Sequence, residues 1–328
     1  MADTEGRDII VIGASAGGTE ALQRLLGALP ADLPASLFVT VHIGARRSML
    51  DRVLAKAGPL PVAWAEDGAP IRPGEVRLAP PDHHLLLEPG RMRLFRGPRE
   101  NMTRPAVDPL FRSAARSFGG RVVAVVLSGN LADGTAGMAE VKRHGGIGIV
   151  QDPAEAEFRG MPESALRHTK VDHSLPVLGI AALLRQLAGP GGSESKEEPV
   201  SGGYQLGPPV ALTCPTCGGS LREERQDSLP YFSCHIGHRF AAADMDEAQF
   251  QQMEGALEVA LRALNERTAL CERLAESARL RGAQHSVERW EAAEREARSR
   301  AETLRHFIER GWQRPDPDER SAPDEEPA

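Results

Sequence analysis

The sequence predicts an α/β fold. A doubly wound, mostly parallel sheet with a small antiparallel excursion is followed by a small cysteine-histidine module and an α-helical hairpin. Three observations carry this expectation. Between Asp8 and Gln151, short apolar runs alternate with amphipathic segments, the pattern of successive strand-helix units. The run after Arg121, Val-Val-Ala-Val-Val-Leu127, is wholly apolar, as in strands buried on both faces. Beyond Gly207 the pattern changes, first to paired cysteines and histidines, then to apolar residues at 3–4 spacing.

Taken in order, Asp8–Ala14 is a β-branched run ending in a glycine turn, and Thr19–Leu29 is a helix stopped by Pro30. Ser36–His42 is the next strand and Ser48–Ala57 the next helix. Arg72 to Phe95 holds short strand signals broken by Pro-Gly and Pro-Pro-Asp, and is expected to be the antiparallel excursion. Val107–Phe118 is a helix, Arg121–Leu127 a strand, Gly134–Arg143 a helix and Gly146–Gln151 a strand. Pro162–Arg167 and Ile180–Leu187 are short helices. These segments define a domain over 8–188. A Gly, Ser, Glu and Pro-rich linker is expected over 189–211, and the cysteine-histidine module over 212–245.

The hairpin is expected over 246–311. Its first helix carries Phe250, Met253, Leu257, Ala260, Leu264, Cys271, Leu274 and Ala278 on one stripe, with Cys271 read as core. Arg281-Gly282-Ala283 is the turn. The second helix carries Val287, Trp290, Ala293, Ala297, Ala301, Leu304 and Ile308. The stripes suit either a self-contained pair or a docking or self-association surface. Residues 312–328 are acidic and Pro-rich, and are expected to be disordered.

Composition narrows the function classes. The 328 residues carry a net charge of −7. Residues 1–190 are nearly neutral, with 22 Lys+Arg against 20 Asp+Glu, so the negative excess lies in the last third. That balance argues against nucleic-acid binding. Met1–Asp8 is polar and Ile9–Ile12 is too short for a signal core or membrane span, so a cytoplasmic location without membrane insertion is expected. Four cysteines in that compartment do not form a disulfide framework.

Three segments carry the chemistry. Gly13-Ala14-Ser15-Ala16-Gly17 lies between a strand and a helix, which suits a nucleophile elbow and equally a phosphate-binding glycine loop. His42 ends the second strand, where it can serve as a base or as a structural histidine. Asp133 follows the most apolar strand, as an orienting acid or a helix N-cap. Together they form the set that acyl transfer needs, gathered where parallel strands end. Backbone N–H groups at Ala16 and Asn130 are candidate oxyanion donors. No cofactor is expected for catalysis.

In the module, Cys214-Pro-Thr-Cys217 and Cys234-His-Ile-Gly-His238 have the spacing of a Cys3His site, so Cys214, Cys217, Cys234 and His238 are expected to hold a structural Zn2+. His235 is the alternative fourth ligand. A redox pair at Cys214 and Cys217 lacks the strand-helix-strand context that it would need.

Residues 8–188 resemble the catalytic domain of the chemotaxis protein-glutamate methylesterases, the CheB type. The resemblance rests on Ile12-Gly-Ala-Ser15-Ala-Gly-Gly-Thr-Glu-Ala21, Val41-His42, Ala65-Glu-Asp-Gly68, Leu78-Ala-Pro-Pro-Asp-His-His84, Arg104-Pro-Ala-Val-Asp108, Leu127-Ser-Gly129 with Asp133-Gly-Thr-Ala-Gly-Met138, and Gly160-Met-Pro162. It implies that Ser15 is the nucleophile, His42 the base and Asp133 the acid, with Arg104 and Met161 in the substrate groove. It implies hydrolysis of γ-glutamyl methyl esters on chemoreceptor helices or similar signalling proteins, with methanol released, and deamidation of receptor glutamines. The module resembles a zinc-ribbon extension found behind some domains of this type.

The chain departs from the family pattern at Ala16, where a hydroxyl residue is common, and at Asn130-Leu131-Ala132, where glycines are common. Both departures touch rate more than reaction type. They also motivate a rival reading, a catalytically weak signalling adaptor that binds partners through the module and hairpin. A receiver domain is expected to be absent, which leaves regulation to a separate regulator or to self-association through the hairpin.

Overall fold

The computed structural model describes residues 6–44, 48–189, 209–226 and 229–310. The chain divides into two compact units, residues 1–245 and 246–328. Apart from residues 189 and 209–211, the expected linker lies outside the described residues, as does the expected acidic tail.

The first unit is built on seven strands: β1 (Ile9–Ala14), β2 (Ser36–Val41), β3 (Val62–Trp64), β4 (Val76–Leu78), β7 (Val122–Val126), β8 (Ile147–Gln151) and β9 (His173–Leu175). They lie side by side in the order β3-β4-β2-β1-β7-β8-β9, and every pairing is parallel. Alternate residues of the central strands serve two cores. Ile10, Ile12, Leu37, Val39, Val123 and Val125 pack against α1 (Gly18–Gly27), α2 (Leu50–Leu54) and α6 (Val177–Leu187). Val11, Phe38, Val122, Ala124 and Val126 pack against α3 (Val107–Phe118), α4 (Thr135–Arg143) and α5 (Gly160–His168). Burial on both faces explains the unbroken apolar runs. Strand order reverses between β1 and β7, the position where sheets of this kind open a crevice at their carboxyl ends.

The antiparallel excursion is narrower than its sequence signal. It is the hairpin β5 (His84–Glu88) and β6 (Arg91–Phe95), whereas Val76–Leu78, inside the same stretch, joins the parallel sheet. Val76 and Leu78 are buried between β2 and β3, which is why that short strand belongs with the main sheet. β10 (Leu221–Gln226), β11 (Leu229–Cys234) and β12 (Arg239–Ala241) form a three-stranded antiparallel sheet.

Helix α7 (Ala242–Leu280) begins four residues before its expected start. In the second unit it turns at Arg281–Ala283 into α8 (Gln284–Glu309). Cys271, Ala278, Val287, Ala297 and Ala301 are buried, as their stripes require, whereas Ala260, expected on the first stripe, is exposed, and ion pairs Arg279–Glu291 and Arg298–Glu272 join the helices. Among the described residues no helix is long and apolar enough to cross a membrane.

Candidate active site

β1 and β2 run in register up to Ala14 opposite Val41, so Ser15 and His42 are the next residues on neighbouring strands. The His42 N–H donates to Ala14 O at 3.2 Å, and the Ser15 N–H donates across to Ser128 O at 2.9 Å. These bonds fix both residues to the sheet edge. The chain leaves Ser15 through Gly17 at φ +70, where a Cβ would lie 2.7 Å from both Ser128 Oγ and Glu157 Oε2. Gly129 is needed for the same reason, since a Cβ there would meet Ser15 Cβ at 2.8 Å and Met161 Sδ at 2.1 Å. A side chain at either position would push the Ser15 turn out of place.

His42 Nε2 lies 2.6 Å from Asp133 Oδ2. The carboxylate thus engages Nε2, and no described residue bonds Nδ1, the reverse of the nitrogen that pairs with aspartate in the usual protease arrangement. Asp133 is almost fully buried and does not cap α4. Its Oδ2 also accepts the Val107 N–H at 2.7 Å. Its Oδ1 accepts from Asn101 Nδ2 at 2.8 Å, Gly134 N at 2.9 Å and Asp108 N at 3.1 Å. Two of these donors are the free N–H groups of the first turn of α3, a natural anion site. Burial pushes the Asp133 carboxyl upward, but His42, Val107 and Asn101 outweigh it and hold the carboxyl below its ordinary value.

Asp108 answers in kind. Its Oδ1 accepts from Gly134 N at 3.1 Å and Gly137 N at 2.6 Å, at the start of α4, so the two helices exchange aspartates. Burial, followed by the charge of Asp133, pushes Asp108 up to about 7. The sign of the consequence is fixed. Above about pH 4 the unfolded carboxyl releases a proton that the folded one keeps, so this group's contribution to stability falls as pH rises to about 7. Asp108→Asn, which cannot ionise, should therefore lose less stability than wild type between pH 5 and 7.5 in urea melts. Equal slopes would show that Asp108 does not hold that proton.

The other expected site residues fall around this core. No bond from Ala16 N or Asn130 N to another described group is present. Leu131 sits at φ +64, a conformation costing about 1–2 kcal/mol for a side-chain-bearing residue. Arg104 is tied to Asp82 by bonds of 2.9 and 2.6 Å, and Met161 is fully buried against Gly129. Arg104 therefore braces a loop and Met161 supports the Ser15 turn from below. Sequence reasoning missed Asn101 and Tyr231, and quoted Ser128 within a motif without giving it a role. Ser128 Oγ donates to Ala16 O at 2.8 Å, clamping the loop after Ser15. Asn and Ser between short elements carry no periodic signal, so nothing in their spacing marks them.

Ligand atoms of Cys214, Cys217, Cys234 and His238 all lie within 4.8 Å of one another, and His235 is outside this group. Cys217 and Cys234 Sγ are 3.8 Å apart, and His238 Nδ1 is 3.6 and 3.5 Å from the sulfurs of Cys214 and Cys234. A tetrahedral ion with Zn–S of about 2.3 Å and Zn–N of about 2.0–2.1 Å has edges of about 3.8 and 3.5 Å. The donor set and its spacing fit such an ion.

Comparison with known proteins shows the family. A family model described as CheB methylesterase matches residues 10–184. A Leptospira interrogans relative, with protein-glutamate methylesterase/protein-glutamine glutaminase in its name, is 38% identical over 182 residues, which is 55% of this chain and 94% of that one. Protein-glutamate methylesterase/protein-glutamine glutaminase 2 of Anaeromyxobacter dehalogenans is 41% identical over 181 residues. This chain spans only about half of that relative's length, 53%. The crystal structure of the Thermotoga maritima CheB methylesterase catalytic domain superposes with a TM-score of 0.54 at 34% identity, covering 56% of this chain and 99% of that one.

Proposed function

Because the chain belongs to the CheB methylesterase family, we propose that it is a protein-glutamate methylesterase. It hydrolyses γ-glutamyl methyl esters on the helices of chemoreceptors or similar signalling proteins, and deamidates glutamines at such sites. The observation that carries this reading is the 2.6 Å bond between His42 and Asp133, formed at the switch point of the sheet with Ser15 on the adjoining strand end.

The 2.6 Å bond between His42 and Asp133 supports the following roles. His42 Nδ1 takes the Ser15 hydroxyl proton as Oγ attacks the ester carbonyl carbon. The N–H groups of Ala16 and Asn130, aided by the N-terminus of α1, hold the developing oxyanion. Collapse breaks the bond to the methoxy oxygen, which leaves as methanol with the proton from His42. Water, deprotonated by His42, then attacks the acyl-serine and frees the glutamate side chain and Ser15. Asp133 holds the proton on Nε2 and stabilises the imidazolium as it forms. With a glutamine substrate the same steps release ammonia. Zn2+ at Cys214, Cys217, Cys234 and His238 would serve structure alone, because four protein ligands close its shell. The protein would work in the cytoplasm, switched by a separate regulator or by self-association through residues 246–311.

The test is methanol release from methylated helical receptor fragments, run beside labelling by a fluorophosphonate that reacts with activated serines. Methanol together with a label on Ser15 is the expected result. A label without methanol points to another acyl substrate. Neither, in folded protein, favours the adaptor reading, for which Ala16 and the strained Leu131 are the supporting observations.

A further inference from the structure

We propose that the cysteine-histidine module is a metal-dependent clamp on the triad aspartate, acting through Asn101 and Tyr231 as positioning residues. The inference rests on the triad reading above and adds to it a control that lies outside residues 8–188.

The contact begins at the small sheet. Tyr231 on β11 and Ala241 on β12 are directly opposite in register, and both are buried. Tyr231 Oη donates to Asp108 Oδ2 at 3.0 Å. The Ala241 N–H donates to Asn101 Oδ1 at 3.0 Å, and the Asn101 N–H donates to Arg239 O at 2.8 Å. Tyr231 and Ala241 also share a buried cluster with Ala132 and Ala136, on either side of Asp133 in the chain.

Asn101 is the hub. It is buried at φ +48, in a loop whose next residue, Met102, is also left-handed at φ +60. Its amide nitrogen donates to Asp133 Oδ1 at 2.8 Å and to Asp108 Oδ2 at 3.0 Å. Two of its four bonds thus go to the aspartates, and two to the backbone of the module. The module sets the plane of the amide, and the amide helps to set the carboxylate that holds His42.

What holds the module is the remaining link. Cys234 ends β11 three residues after Tyr231, and His238 precedes Ala241 by three. The turn between them is closed by the Cys234 N–H on His238 O at 3.0 Å. Beyond this turn the three strands have a small core, so an ion joining it to Cys214 and Cys217 is the natural source of rigidity. Loss of the ion frees the turn and the register of β11 with β12. Asn101 then loses its backbone partners, and the strained loop relaxes away from Asp133.

The test uses the full chain and three readouts: the rate of fluorophosphonate labelling at Ser15, thermal unfolding, and the downfield proton resonance of the His42–Asp133 bond, assigned by its loss in His42→Ala. Stripping the metal with a chelator, or His238→Ala, should slow labelling about 100-fold and shift or broaden the resonance. Adding Zn2+ to stripped protein should restore both, and His238→Cys, which keeps four ligands, should bind Zn2+ and behave as wild type.

Tyr231→Phe keeps the ring and the ligands but removes the bond to Asp108. It should bind Zn2+ fully, melt a few degrees lower because a buried bond to a carboxylate is lost, and label about 3–10-fold more slowly. A purely structural module predicts a lower melting temperature with unchanged labelling and resonance in the protein that remains folded, and that result would overturn the proposal. If wild type fails to label, the triad reading fails. The resonance then still decides this one: a shift on stripping supports the clamp, and no shift refutes it.

Discussion

Ser15→Ala should remove methanol release almost completely, with kcat reduced about 10⁶-fold, the scale reached when a triad nucleophile is deleted. The residue costs little to replace in structural terms. Ser15 is half-buried, its backbone bond to Ser128 O does not involve the side chain, and its Cβ remains to pack against Gly129. Stability should therefore stay within about 0.5 kcal/mol of wild type. The pairing of near-total loss of activity with an unchanged melting curve separates a nucleophile from a packing residue. The variant should also take no fluorophosphonate, while still binding methylated fragments, because only the hydroxyl is removed. Methanol release at the wild-type rate would remove Ser15 from the chemistry and with it the acyl-enzyme route.

Much of this could be read before any coordinates. The central strands are legible because each is buried on both faces, so Val122–Val126 must be apolar throughout and its ends must be turns. The same logic placed Ser15, His42 and Asp133 at one sheet edge. Short edge strands were not legible. Val62–Trp64 and His173–Leu175 pair on one side only, over three residues, and the second is largely exposed. Neither generates a run or an alternation that stands above its surroundings. The clustering of Cys214, Cys217, Cys234 and His238 was legible because the C-x2-C and C-x3-H spacings each bring two side chains together within one turn.

The polar network behind Asp133 was illegible for the opposite reason. Asp108 and Tyr231 are 123 residues apart in sequence, and their bond exists only once β11 packs beside the start of α3. The resemblance drew attention to Arg104 and Met161, but not to Asn101 three residues before that arginine. Asn101 owes its place to partners in β12 that the catalytic segment alone does not contain.

Asp133→Asn should cost about 10⁴-fold in kcat and also lower stability, and the two losses share one cause. Asp133 accepts five hydrogen bonds and donates none. An asparagine must put its NH2 where one carboxylate oxygen stood. At the Oδ1 position it faces the Asn101 NH2 and the N–H groups of Asp108 and Gly134, and at Oδ2 it faces the Val107 N–H and His42 Nε2. Every orientation sets donor against donor, leaving buried groups unsatisfied at about 1–3 kcal/mol each. The one escape is for His42 to move its proton to Nδ1 and accept the new amide at Nε2. That escape relieves part of the strain and removes the base, because Nδ1 is the nitrogen that must take the Ser15 proton. The stability loss should also depend on pH. Because the folded carboxyl titrates below its unfolded value, its contribution is present above about pH 4 and is lost as pH falls through the folded pKa. Wild type and Asp133→Asn should thus converge in urea melts taken toward strongly acidic pH and be furthest apart, by a constant gap from this group, above about pH 4. A variant within tenfold of wild-type kcat, or a stability gap that persists unchanged in acid, would show that the carboxylate does not hold the tautomer on which the mechanism depends.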